Sequence, residues 1–197
     1  MTNFDERVRY LFGLDIEFKI SQVDLISSSI ARASQRLVDC LLSDGRILIC
    51  GSGGSSANSL HFSQAMLNHF DVERPPLPVL NLTTDIASIT AITNDGHFDQ
   101  IFAKQIQALG QSKDVLVVLS TTGKSNIILE AITAAHDNDM DVIALNGRDG
   151  GLIANHLGPE DIEIRIQSDS KARILEMHLF ILHCFCDLID SSLFSHE

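Results

Sequence analysis

Two short stretches of this 197-residue chain concentrate the small polar residues that suit an anionic ligand. They are residues 51–56 (GSGGSS) and residues 120–125 (STTGKS). Glycines let a backbone approach a ligand closely, and a helix that begins after such a loop presents unpaired N–H groups to an anion. Hydroxyl groups add hydrogen-bond donors without adding charge. The two loops together predict a site for a phosphate and for the polyol that carries it.

Three other interpretations of these loops were weighed against that prediction. The first loop nearly matches the dinucleotide fingerprint GxGxxG, but Ser56 stands at the third glycine and no acidic residue follows about 20 positions on at a strand end. The second loop ends like a Walker A loop, which requires a glycine five residues before Gly123. That position is Val118 in this chain. Finally, the hydroxyls could simply cap helices, which explains any one of them better than a cluster in each loop.

The elements that must position these loops follow from the apolar runs. Buried strands are predicted at residues 46–51, 77–82, 114–120, 141–147 and 162–166. The run DVLVVLS has no polar alternation, as a parallel sheet covered on both faces requires. Helical patterns separate the strands, so we expect an α/β fold with a doubly wound parallel sheet and right-handed crossovers. The last helix, at residues 171–194, is apolar nearly all round, which predicts burial between subunits.

Composition bounds the remaining possibilities. We expect one domain over residues 1–197, with two N-terminal helices in 1–45 and an α/β core with the terminal helix in 46–197. The net charge of −12 argues against direct nucleic-acid binding and against docking on an anionic membrane. No signal peptide and no apolar run of about 18 residues is predicted. Four cysteines in apolar surroundings, without a CxxC pair, indicate free thiols and a cytoplasmic location.

The motifs GSGGSSAN, HFSQ, TND, STTGKSN, ALNGRDGG and KARILEMH occur in that order along the whole chain. Together they resemble the sugar isomerase (SIS) domain family, and within it the bacterial phosphoheptose isomerases and the related replication-initiator-associating proteins. The resemblance implies a flavodoxin-like, five-stranded parallel sheet, a cytoplasmic homotetramer and a phosphorylated sugar as ligand. The isomerases of this group convert sedoheptulose 7-phosphate to D-glycero-D-manno-heptose 7-phosphate for lipopolysaccharide cores.

The same resemblance assigns ligand contacts to positions in three loops. The family usually has Asn where this chain has Ser52, so that contact differs. The implied ligand-binding residues are Ser52, Gly53, Gly54, Ser55, Asn94, Asp95, Ser120, Thr121, Thr122 and Ser125.

The catalytic pattern of the isomerases is only half present. Those enzymes use a His-x-x-x-Glu pair on the first-loop helix and a Gln and a His eight residues apart on the last helix, and the four side chains can hold zinc. His61 and His183 match as candidate catalytic and metal-binding residues, but Ala65 and Leu175 occupy the Glu and Gln positions. Loss of a general base costs about 10²–10⁴ in rate, and catalytic zinc normally has three protein ligands. Zinc is therefore a candidate cofactor with an incomplete site.

These substitutions lead to two functional hypotheses. The first is a phosphosugar-binding protein with weak or absent isomerase activity, which acts through contacts with the replication initiator. The alternative is an active phosphoheptose isomerase whose base comes from another carboxylate, such as one from a neighbouring subunit. Leu193 and Phe194, near the end of the last helix, are candidate contacts for a partner protein, although they could equally fold back on a neighbouring subunit.

Overall fold

A five-stranded, all-parallel sheet forms the centre of the computed structural model, which describes residues 3–194. The strand order is β2-β1-β3-β4-β5, the flavodoxin-like order, which confirms the predicted fold class. The strands are β1 (Ile47–Gly51), β2 (Val79–Asn81), β3 (Val115–Leu119), β4 (Asp141–Gly147) and β5 (Ile162–Ile166). All five lie within the predicted ranges, and β2 is the one that is markedly shorter.

Helices cover both faces of this sheet. They are α1 (Phe4–Leu42), α2 (Gly54–Leu67), α3 (Ile86–Asn94), α4 (Ala103–Leu109), α5 (Asn126–Asp137), α6 (Gly151–His156) and α7 (Lys171–Phe194), with a 3₁₀ turn at Phe98–Gln100. Successive strand residues point to opposite faces, so Ile47 and Ile49 pack with α1, α2 and α7. Leu48 and Cys50 pack with α4 and α5 on the other face. The four cysteines are free thiols, as expected.

The prediction of two N-terminal helices was wrong, because α1 is one continuous helix of 39 residues. Asn3 caps it by accepting a hydrogen bond from the Asp5 backbone N–H. Gly13 does not interrupt it, and a Cβ at that position would meet no other atom within 4 Å. Burial along α1 begins only at Gln22, so its first half packs little against the rest of the described chain.

The last helix, α7, begins and ends where the sequence predicts. One side of it is buried in the core, at positions such as Ile174, Ile181 and Phe185. The other side keeps Phe180 49% exposed, so the described chain does not itself cover all of this apolar helix. Within residues 3–194, no helix is both long enough and apolar enough to cross a membrane.

Candidate functional site

The loop at residues 120–125 connects β3 to the first turn of α5. It is called the phosphate loop below, after the ligand that the sequence predicts for it. Inside the loop, the Ser120 hydroxyl accepts a hydrogen bond from Gly123 N–H at 3.1 Å, and the Thr122 hydroxyl accepts one from Lys124 N–H at 3.3 Å. Ser125 occupies the N-cap position of α5, yet its side chain makes no capping hydrogen bond. Helix capping therefore does not account for the Ser125 hydroxyl, and the helix N-terminus keeps unpaired N–H groups.

Gly123 has to be a glycine for this loop to form. Its φ is +67°, in the left-handed region, and a Cβ there would lie 2.0 Å from the Gly150 carbonyl oxygen. The Gly123 carbonyl in turn accepts a hydrogen bond from Ile153 N–H at 3.0 Å. The phosphate loop is thus shaped by the backbone of the neighbouring loop after β4.

A cavity of about 510 Å³ joins the two loops that the sequence singled out. It contains Ser52 from the first loop and Ser125 from the phosphate loop. The full lining is Ser52, Gly96, Phe98, Asp99, Lys124, Ser125, Asn126 and Ile127. β1 and β3 are hydrogen-bonded neighbours, so their loops emerge side by side at the carboxyl edge of the sheet. Ligands of open α/β sheets bind at this edge, between strands whose connections diverge.

Other residues predicted to contact the ligand lie around this cavity rather than in it. Ser55 is buried in the first turn of α2, and Gly54 lies under Leu175, whose Cδ1 would be 2.7 Å from a Cβ on that glycine. Asn94 and Asp95 are exposed at the C-terminal end of α3, next to the lining residue Gly96.

The remaining members of that set are placed in the two loops themselves. Gly53 has a φ of +60° and faces open space, and Thr121 and Thr122 are half-buried. The sequence interpretation missed Phe98 and Asp99, although only His97 separates them from the Asn94-Asp95-Gly96 turn.

His61 and His183 lie together, as their matching positions predict. Their Nε2 atoms are 2.9 Å apart, so one ring nitrogen carries the hydrogen and the other accepts it. Burial lowers the pKa of His183, the nearby His61 lowers it further, and Asp71 acts in the opposite direction. The lowered pKa favours the neutral form of the His183 ring.

The histidine pair is separate from the cavity that holds Ser52 and Ser125. His183 lines a different, largely apolar cavity of about 600 Å³ between α1 and α7, together with Phe70, Met177 and Phe180. The Gly54–Leu175 contact and the His61–His183 contact show that α2 and α7 run side by side in one direction. Leu175 thus lies at the loop end of this helix pair, and the histidines lie about two turns farther on.

The residues present do not fit a catalytic zinc site. Ala65 is a buried core residue one turn beyond His61, and Leu175 is also apolar. Among residues 3–194, no three His, Cys, Asp or Glu side chains are grouped so that they could hold a metal ion. Catalytic zinc sites normally supply three protein ligands, and the histidine pair supplies two.

Leu193 and Phe194 are not freely exposed in the described chain. Both are half-buried and pack against the core on the α1, α2 and α7 side of the sheet. The Arg74 guanidinium lies over the Phe194 ring at 5.9 Å, and Arg74 is itself ion-paired with Asp190 at 2.5 Å.

Comparisons with known proteins agree with this architecture. The SIS domain family matches residues 15–147. The chain is 51% identical to the phosphoheptose isomerase of Methylococcus capsulatus and 50% identical to that of Chromohalobacter salexigens, over 98% of each chain.

Solved structures give the same result. The phosphoheptose isomerase of Francisella tularensis matches 97% of this chain and 100% of its own, with a TM-score of 0.92 and 46% identity. Phosphoheptose isomerase GmhA of Neisseria gonorrhoeae matches 96% of this chain and 100% of its own, with a TM-score of 0.89 and 42% identity. The chain therefore belongs to the SIS domain family, among relatives that carry the name phosphoheptose isomerase.

Proposed function

We propose that this protein binds a phosphorylated seven-carbon sugar and interconverts its ketose and aldose forms, as a phosphoheptose isomerase. The observation that carries the proposal is the cavity joining Ser52 to Ser125, whose hydroxyl is not used to cap α5. The substrate class comes from relatives about 50% identical over nearly the full chain, which are named for that activity. The identity to these relatives favours the isomerase hypothesis over the first hypothesis from the sequence, which was a phosphosugar-binding protein with weak or absent isomerase activity.

In this proposal the phosphate group lies at the N-terminus of α5. Ser125 and Ser120 donate their hydroxyl hydrogens, and backbone N–H groups of the first turn donate theirs. Because the Ser120 oxygen already accepts from Gly123 N–H, its own hydrogen remains available for a phosphate oxygen. The polyol then extends toward Ser52 and the glycines of the first loop.

The isomerisation moves one proton between adjacent carbons. A base removes a proton from C1 of the ketose, the electrons form a C1–C2 enediol, and the C2 oxygen gains a proton. Return of a proton to C2, with loss of the O1 proton, completes the aldose without any change in composition. The His61–His183 pair is the base that this chain offers, and the reacting carbons would have to extend beyond the Ser52–Ser125 cavity to reach it.

A direct assay tests this proposal. Purified protein is incubated with sedoheptulose 7-phosphate, with and without added zinc, and heptose 7-phosphate is measured. We expect slow turnover that disappears in a His61→Gln, His183→Gln double variant that still binds the substrate. Binding of sedoheptulose 7-phosphate without any product, at saturating substrate, would overturn the isomerase proposal and leave the second candidate.

The second candidate is a phosphosugar-binding protein that does not turn its ligand over and acts through the replication initiator. It is favoured by one observation, which is that Ala65 and Leu175 place apolar side chains where the isomerases have Glu and Gln. Leu193 and Phe194 stay proposed as the partner contact.

The tail contact has its own test, in the variant Leu193→Ala with Phe194→Ala. If the pair is a partner contact, capture of the replication initiator should be lost while assembly and sugar binding survive. Leu42→Ala with Leu67→Ala, which changes exposed leucines elsewhere, is the matched control. Loss of assembly, or a markedly lower melting temperature, would make the tail pair structural.

We also propose that the protein is a cytoplasmic homotetramer. The first half of α1 exposes Phe4, Phe12 and Ile20, which are costly to leave in water. A second copy that covers this surface would form the closed assembly expected of soluble homo-oligomers. Light scattering should then give about four times the monomer mass of 21.6 kDa, whereas a monomer mass at all concentrations would contradict the proposal.

A further inference from the structure

The loop after β4, residues 147–151, lies directly on the phosphate loop. A Cβ on Gly147 would be 2.6 Å from the Thr121 carbonyl oxygen, and one on Gly151 would be 2.6 Å from the Gly123 carbonyl oxygen. No side chain separates the two backbones at these points. A displacement of residues 147–151 would therefore displace Gly123 and the donors on either side of it.

Asn146 holds both ends of this turn in place. It is fully buried, and its side-chain Nδ2 donates to the Gly150 carbonyl and to Glu163 Oε1, both at 2.8 Å. Its Oδ1 accepts from Gly147 N–H at 2.9 Å. Both N–H donors of the amide are thus used within the protein, and its buried oxygen already accepts one hydrogen bond.

Two further contacts hold Asn146 and Gly150. His178 on α7 is buried and donates from Nε2 to the Asn146 carbonyl at 3.1 Å. Burial lowers the pKa of His178 to about 4, so the ring is neutral near neutral pH. Arg165 is ion-paired with Glu163, and its Cζ would be 2.7 Å from a Cβ on Gly150, so the guanidinium lies against that backbone.

We infer that Asn146 is a positioning residue for phosphate binding, which acts through Gly150 and Gly123 and touches no ligand itself. The inference rests on the proposed function only in that it requires a phosphate group at residues 120–125. His178 is the second member of this support, because it fixes the Asn146 backbone from α7. The motif ALNGRDGG, which contains Asn146, is thereby assigned a role in shaping the phosphate loop.

The test compares two asparagines, Asn146 and Asn138, whose side-chain amides each donate two hydrogen bonds within the protein. Calorimetry measures the affinity of Asn146→Ala for sedoheptulose 7-phosphate and for inorganic phosphate, and we expect both to weaken about tenfold or more. The matched control is Asn138→Ala, whose amide donates to the Ile106 and Gly110 carbonyls at the opposite edge of the sheet. The affinities of Asn138→Ala for both probes should stay within about twofold of wild type, although this variant should lose about as much unfolding free energy as Asn146→Ala.

His178 provides a second test if Asn146→Ala does not fold. His178→Leu removes the donor to Asn146 and should weaken both probes, whereas His178→Gln keeps an N–H donor near the Nε2 position and should restore most of the affinity. Wild-type affinity in His178→Leu, or an equal loss in the Asn138→Ala control, would overturn the positioning role. If wild type binds neither probe, the proposed function itself fails, and this inference fails with it.

Discussion

The phosphate loop and the α2–α7 helix pair are the two parts of the sugar site that we propose, and they match the pattern of the isomerases to different degrees. In the phosphate loop, Ser120 accepts a hydrogen bond from Gly123 N–H, and the Ser125 side chain makes no capping hydrogen bond, so both hydroxyls can donate to the phosphate that we propose there. On the helix pair, two histidines remain in contact, but Ala65 and Leu175 are apolar. Under the proposed function, this chain therefore has the residues for phosphate binding, while its acid–base chemistry rests on the histidine pair alone.

Under the proposed function, this difference means that binding and turnover can change independently in one fold. The phosphate loop depends on backbone geometry and on contacts with the loop after β4, which involve many residues together. Each acid–base position depends on one side chain, which a single substitution removes. A chain can therefore stay about 50% identical to isomerases along its length and still change its rate of turnover greatly.

The largest expected effect comes from restoring the acid–base side of the site. Ala65→Glu with Leu175→Gln should raise turnover of sedoheptulose 7-phosphate by about 10²-fold or more, because a positioned general base contributes about 10²–10⁴. Bound zinc, measured by elemental analysis, should rise as well, since the histidines gain further ligands.

The control for this restoration is Gln64→Glu, which adds a carboxylate on a neighbouring, outward-facing position of α2. It should leave turnover and zinc content as in wild type. Near-normal turnover by the wild type would contradict the expected impairment and require another base.

Removing hydroxyls from the phosphate loop should have the next largest effect. Ser120→Ala with Ser125→Ala should weaken sugar-phosphate binding by roughly 2–4 kcal/mol, because each hydrogen bond to a charged group contributes about 1.5–3 kcal/mol and the losses are not fully additive. Thr133→Ala removes an exposed hydroxyl from the same helix, α5, and should leave affinity unchanged. Unchanged binding in the double variant would show that the loop hydroxyls do not contact the phosphate.

The smallest expected effect concerns His178 on α7, which donates a hydrogen bond to the Asn146 carbonyl. The pKa of His178 in the folded protein is about 4, below its ordinary value of 6.5. The unfolded chain therefore binds more protons between these values, and this contribution to stability is present above about pH 6.5 and lost as the pH falls toward 4. We expect wild type to lose about 1–2 kcal/mol of unfolding free energy from this source between pH 6.5 and pH 5.

The comparison variant for this pH effect is His178→Gln. Its free energy of unfolding should fall less than that of wild type over the same pH range, as measured by urea titration. Parallel pH profiles for the two proteins would contradict the assignment.

Much of the fold could be predicted from the sequence, because its strands are buried on both faces. The runs at β4 and β5 are bounded by turn residues and match the structure residue for residue. The break predicted within the first 45 residues failed because no residue there opposes a helix strongly enough, and Gly13 sits where a side chain would meet nothing. A change in apolar pattern alone does not end a helix.

The site could be predicted only where its residues are local in sequence. Ser120 and Ser125 belong to one loop, so their type and spacing were informative. Asn146 and His178 are 32 residues apart, and their contact depends on how α7 packs against the end of β4. The separation of the histidine pair from the Ser52–Ser125 cavity likewise depends on tertiary packing and has no local signal.

The length of α1 has a consequence for local stability. At 1.5 Å per residue, its 39 residues extend about 58 Å, and burial begins only at Gln22. A helical segment with few packed neighbours is marginal in water, so the first half of α1 should open far more often than its second half. In an isolated chain, amide hydrogens of α1 should therefore exchange fast before Gln22 and slowly after it. Slow exchange in the residues before Gln22 would indicate that another protein surface covers the first half of the helix.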